Sequence, residues 1–347
     1  MKRRSGTTLV EVLVAIFIMG IGMIALLTLF PIGVLRMAQA INDERAAQAA
    51  YIAHENAIIY NIRNDVLTAG NAGVVTDGVT ADFFAAAPAA GLKAGDPYGE
   101  SYTLFVDPIG WNSGTTSQWV GGQTGLLRRR PVSFATTPAT ITRAFTLWDD
   151  MTYYNDPTLG LPGTPETFGN AAAPFIMRNA RFSWAYTMRR PLTAEKSVVD
   201  CSIVVFDSRS LSLGVNLGLG EYVYPTAYFN ANNNTVVVDY TTTTPPPIRP
   251  GNWIMDATQY QTTNAAGTAV GSQHNYWYRV LATQDVVVGA NTLAVYEIQG
   301  QIRGFPSNFP NVGTDPTTSQ SAYLGNVVIL DGVAEVFEKG PVRVPVQ

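Results

Sequence analysis

The side chains able to do chemistry are few in this chain, and most are spaced for something quieter. There are two histidines, His54 and His274, so a Ser–His–Asp triad would have to use one of them. His54 falls in a helical pattern, where packing or a surface position is expected, and His274 sits beside Asn275 and Tyr276 in a loop-like stretch. The single cysteine, Cys201, can form neither an intrachain disulfide nor a cysteine-based zinc site. The sequence has no phosphate-cradling glycine loop, no G-x-S-x-G elbow and no H-E-x-x-H pair. Asp149, Asp150 and Asp156, with Tyr153 and Tyr154 among them, are hard oxygen ligands of the kind calcium takes. Their spacing matches no calcium loop, and a solvated loop is the expectation. Arg128, Arg129 and Arg130 precede Pro131; on a chain of net charge −4 this basic run reads as a solvent-facing turn. We therefore expect no enzymatic activity, no cofactor and no bound metal.

Glu11 is the exception. It stands at the mouth of residues 12–35, a 24-residue run without a single charge. At about 1.5 Å per residue, that run is long enough to span a hydrocarbon core of ~30 Å as a helix. A carboxylate at such a place costs roughly 2.5–3.5 kcal/mol on insertion scales, so it needs a partner and a purpose. Lys2, Arg3 and Arg4 precede the run and only Arg36 follows closely, which keeps the N-terminus in the cytoplasm and the body outside the membrane. A plain anchor is one reading. A secretory signal peptide is a second, with Ala38-Gln39-Ala40 as its cleavage site, although the apolar run exceeds the usual 7–15 residues of a signal core.

A third reading uses every residue. A basic leader ending in Gly6, then Thr7, then Thr8-Leu9-Val10-Glu11-Val12-Leu13-Val14-Ala15 and a long apolar helix resembles the processing site of type IV prepilins and type II secretion pseudopilins, minor pilins in particular. The resemblance is specific over about residues 1–40. It implies that prepilin peptidase, a membrane aspartyl peptidase, cuts between Gly6 and Thr7 and methylates the new amine on Thr7. It also implies that Glu11 pairs with the terminal amine of a neighbouring subunit and sets axial register during assembly. The implied partners are the peptidase, other pilin or pseudopilin subunits, an inner-membrane assembly platform, and membrane lipid before assembly. The implied location is the bacterial inner membrane, single-pass, then a periplasmic or extracellular filament. Two competing roles for Glu11 remain: a favourable charge at a helix N-terminus, or a proton relay. The alternative class is a membrane-anchored or secreted β-domain that binds a ligand.

Positioning these residues requires a long helix and a folded body. Ala40, Ala47, Tyr51, Ile58 and Ile62 recur at gaps of seven and four, predicting an amphipathic continuation laid on a sheet. Gly70 and Gly73 end the pattern, giving a helix over 7–67, with a kink expected at Pro31. Beyond it, 102–107, 140–148, 182–188 and 198–207 read as strands, with a hairpin loop over 189–196. A second set follows at 235–240, 252–256, 276–283 and 292–299, and 326–338 reads as a closing pair turning at Asp331-Gly332. The expected fold class is α+β and pilin-like, with the helix packed on an antiparallel sheet and an extra β insertion. The expected segments are a leader over 1–6, the helix over 7–67 (membrane-spanning over about 12–35), a β domain over 68–207 plus 323–347, and the insertion over 208–322. Only 14% of residues are charged, which suits an exported β-rich body. Removing the three cations of the leader leaves −7 on residues 7–347, a balance that argues against nucleic acid as a partner.

Overall fold

The structure is a computed structural model, and it describes residues 9–62, 100–108, 129–130, 132, 144–147, 151–153, 176–178, 181–191, 198–209, 220–263, 269–273, 275–302 and 312–343. It has the expected α+β class: an N-terminal helix followed by largely antiparallel sheets. The chain divides into two units, 1–47 and 48–347. The helix, α1, covers Leu9–Ile59 and continues through Pro31. Among the described residues it ends short of the expected position 67, with Asn61 at φ +48° just beyond it.

In the first unit, α1 is mostly Leu, Ile, Val, Met, Ala and Phe up to Leu35, and every described side chain from Leu9 to Leu35 is exposed. Among the described residues, none covers that surface.

The second unit is β-rich. Its strands are β1 (Glu100–Val106), β2 (Arg129–Arg130), β3 (Met151–Tyr153), β4 (Ile176–Arg178), β5 (Phe182–Pro191), β6 (Val198–Asp207), β7 (Glu221–Asn230), β8 (Thr235–Asp239), β9 (Trp253–Asp256), β10 (Gln259–Thr263), β11 (Ala269–Gln273), β12 (Tyr276–Val288), β13 (Asn291–Ile298), β14 (Val312–Thr314), β15 (Ser321–Leu330) and β16 (Val333–Arg343). Five of them form a sheet in the order β16-β6-β5-β1-β2, antiparallel except for the β1–β2 pair. One face of this sheet takes the last turns of α1. Ala49, Ala50, Ala53 and Ala57 are buried there, and the Tyr186 hydroxyl donates to the Ala53 carbonyl at 2.8 Å. The amphipathic face was expected to present Tyr51 and Ile58. Both are exposed, because alanines let the helix backbone approach the sheet closely enough for a tyrosine to reach it.

Seven more strands run β14-β15-β7-β8-β13-β12-β9, and a further pairing of β15 with β9 closes six of them into an antiparallel barrel; β3–β4 and β10–β11 are separate two-stranded pairs. Alternation on its strands sends Tyr224, Phe229, Val236, Val238, Tyr276, Tyr278, Tyr296 and Ile329 into one interior cluster. The opposite face of β9 and β15 supplies Met255, Val328 and Leu330 to a second cluster with Phe105, Ala185, Val204 and Phe206 of the five-stranded sheet. The two sheets therefore share a core. Pro225 lies within β7 at a register shift, where Tyr224 pairs with Val327 and Ala227 with Gly325, so its missing N–H leaves no ladder bond broken.

Strand membership moves two of the sequence boundaries. Residues 321–330 form β15 and belong to the barrel, so the chain returns to the five-stranded sheet at β16 rather than at 323. Asp331-Gly332 is accordingly a crossing between sheets and not a hairpin turn. The Asp207 amide donates to the Gly332 carbonyl and the Asp331 amide to the Gly220 carbonyl, both at 2.7 Å. Gly332 has φ +77°, and a Cβ there would stand 2.7 Å from the Asp207 carbonyl oxygen, so this crossing requires glycine. Of the expected strand over 140–148, the described residues 144–147 make only an isolated bridge, Thr146 to Ser183.

Beside this crossing Arg209 forks onto buried Asp107, at 3.1 and 2.8 Å, lies 3.5 Å from Glu221, and covers the Phe206 ring at 4.1 Å. It thus joins the end of β1 to the first strand of the barrel. Arg209→Met should cost about 3–5 kcal/mol in denaturant unfolding, because Asp107 stays buried without its bidentate partner; a cost below about 1 kcal/mol would contradict that role. Cys201, 2% exposed on β6, is a second probe of the same packing. Burial pushes its thiol up to about 12, against the lowering influence of Arg189. The native protein should resist a thiol-alkylating reagent at pH 8 and take up one label per chain in urea; labelling at the rate of a free peptide thiol would show that the sheet opens.

Candidate functional site

The chemistry expected at the N-terminus depends on Gly6, Thr7 and Glu11. Gly6 and Thr7 lie outside the described residues. Glu11 lies in the first turn of α1, where a carboxylate also meets the favourable end of the helix dipole. Leu9 and Val10 open the helix and Val12 follows the acid, so Glu11 is carried at the head of a long apolar run.

That run is the largest apolar surface described. Leu13, Phe17, Ile24, Leu27 and Phe30 are 60–73% exposed. Gly20 and Gly22 have no heavy atom within 4 Å of where a Cβ would be, leaving shallow places at which another helix can approach closely. Exposed apolar area on this scale marks a surface made for lipid or for other protein. Among the described residues no helix is long and apolar enough to cross a membrane. Residues 25, 26, 28 and 29, in the middle of the apolar run, have no described side chains.

The other candidates scatter. His54 is half-buried on α1 with its Nδ1 lacking a hydrogen-bond partner, and His274 lies outside the described residues. Asp149, Asp150, Asp156 and Tyr154 also lie outside them, while Tyr153 ends the short strand β3. Among the described residues no group of three His, Cys, Asp or Glu side chains is placed to hold a metal ion. Arg128 is outside the description; Arg129 and Arg130 form β2, pairing in parallel with Phe105 and Val106 rather than making a free turn.

A second locus was not expected. Between the five-stranded sheet and the barrel is a cleft of about 290 Å³, lined by Arg189 and Ser202 from the sheet and by Trp253, Tyr276 and Trp277 from the barrel. The sequence reading placed Arg189 in a hairpin loop because Arg190 and Pro191 follow it. In the structure β5 extends to Pro191, and Arg189 is buried on the barrel-facing side. No local signal identifies this cleft, since its residues come from five strands and one turn far apart in sequence.

No curated protein and no solved structure matches this chain. Residues 1–27 match the family model of the prokaryotic N-terminal methylation motif, the prepilin-type signature of type IV pilins and pseudopilins, and so support a pilin- or pseudopilin-like precursor, which implies processing by prepilin peptidase and assembly with other pilin subunits.

Proposed function

We propose that this chain is a structural subunit, a minor pilin or pseudopilin, of a type IV pilus or a type II secretion pseudopilus. The observation that carries the reading is the methylation motif over residues 1–27, which opens directly onto an apolar helix whose described side chains are exposed. In this reading the precursor sits in the bacterial inner membrane, with residues 12–35 spanning the bilayer and the leader in the cytoplasm. Prepilin peptidase cuts between Gly6 and Thr7 and methylates Thr7. The assembly platform then lifts the helix out of lipid into a periplasmic or extracellular filament, where like helices replace the acyl chains around it. No catalysis belongs to this role.

The electrostatics support that order of events. Cleavage after Gly6 would create a terminal amine on Thr7, four residues from Glu11. In a filament interior an isolated carboxylate is strongly unfavourable, whereas a carboxylate paired with an ammonium is tolerated. Each incoming subunit is thereby fixed at the axial position where its charge meets the neighbour's. Pro31 and Gly33 lie where the helix would loosen as it packs. The body, residues 48–347, is what such a filament would display, with 1–6 removed and the barrel as the extra β insertion.

Glu11→Ala is the direct test. The variant should be cleaved and membrane-inserted like the wild type, as judged by N-terminal mass and fractionation, yet its recovery in sheared filaments should fall roughly tenfold, the scale of a 1.4 kcal/mol loss per added subunit. Recovery at the wild-type level would remove the pairing from the account.

A further inference from the structure

The cleft between the five-stranded sheet and the barrel carries a polar arrangement that the fold leaves incomplete. Arg189 is 7% exposed. Its Nη2 donates to Ser202 Oγ at 2.6 Å, and its guanidinium lies 4.6 Å from the centre of the Tyr276 ring. Its Nε has no hydrogen-bond partner, and among the described residues no carboxylate stands within ion-pair distance of it. Trp253, which lines the same cleft, likewise has a buried Nε1–H with no partner. Two buried donors, one of them cationic, thus border one space with no hydrogen-bond partner among the described residues. Buried polar groups are almost always satisfied, so an unmet pair lining a cleft points to an acceptor that arrives from outside.

The rest of the lining narrows the class. Arg279 and Glu335 pair at 3.7 Å, and Glu338 and Gln299 complete the polar side. Two carboxylates at the rim repel a dianion such as phosphate, while a single carboxylate can reach Arg189 and leave them to accept from hydroxyls. The indoles of Trp253 and Trp277 offer flat apolar surface. Trp277 holds its own Nε1–H on Thr187 Oγ1 at 3.0 Å, which fixes the ring and spends its donor. At about 290 Å³ the cleft is below the range of ~300–1,000 Å³ typical of drug-sized sites, and suits one sugar ring.

We propose that this cleft binds an acidic sugar of the hexuronic acid class, with its carboxylate on Arg189 Nε and Trp253 Nε1, its ring against the indoles, and its hydroxyls on Gln299, Glu335 and Glu338. The site belongs to the body and is independent of how the N-terminus is processed.

The test is titration calorimetry on the full-length, detergent-solubilised protein with D-glucuronate, D-glucose and acetate as probes. Glucuronate should bind saturably, with glucose (ring without carboxylate) and acetate (carboxylate without ring) each roughly tenfold weaker or worse. Arg189→Gln and Trp253→Phe should each weaken glucuronate by a similar factor without changing the circular dichroism or the melting temperature. Should Arg189→Gln fail to fold, Trp253→Phe, which removes one N–H and keeps an aromatic ring, decides alone. Absence of saturable glucuronate binding, equal binding of glucose or acetate, or unchanged binding by a folded Trp253→Phe would overturn the proposal.

Discussion

An uncharged helical segment, exposed among the described residues, is the constraint around which this molecule is organised. From Val12 to Leu35 no residue carries a charge, and the described side chains there are exposed. Water cannot be the working environment of such a surface, since apolar area exposed to it costs about 25 cal/mol per Å². Lipid and other helices of the same kind are the two media that suit it. Lipid gives such helices no hydrophobic reason to associate, so close packing and polar pairing must do so. Gly20 and Gly22 permit the first. In the proposed function Glu11, the carboxylate just before the run, supplies the second.

The body solves a different problem, which is how to carry a long β excursion without a loosely hinged appendage. The barrel leaves the five-stranded sheet after β6 and returns through Asp331-Gly332, so its two connections lie side by side and hydrogen-bond to each other. Met255, Val328 and Leu330 then pack on Phe105, Val204 and Phe206, and Arg209 ties β1 to β7 through Asp107 and Glu221. Closing the barrel with the β15–β9 pairing also removes the free edges at which extended strands recruit other chains. On the opposite face of the sheet an alanine row on α1 allows Tyr186 to hold the helix backbone directly.

Much of this was legible where pattern and chemistry agree. The apolar run, the leader cations and Glu11 are read from residue type alone, because membrane length and charge leave few alternatives. Strands β1, β5, β6, β12 and β13 were legible from branched and aromatic residues in short runs. Strand β7 was not: it begins after Gly220 and contains Pro225, both of which normally end a strand, and only the register shift against β15 makes room for the proline. The alanine face was missed because hydrophobic size favoured Tyr51 and Ile58, whereas closeness of approach favours small side chains. Arg189 was hidden by polar neighbours that suggested a loop. Its burial depends on a barrel whose closure is a long-range pairing, which no local pattern records. Gly6 and Thr7, the expected cleavage site, lie outside the described residues.

In the proposed function, a charge needed for assembly does not exist until the leader is removed. The most direct measurement is the intact mass and N-terminal sequence of the mature protein recovered from the membrane. The account predicts a chain that begins at Thr7 and carries one added methyl group on its amine. A chain that retains Met1, or one that begins at Ile41 after cleavage behind Ala40, would contradict it.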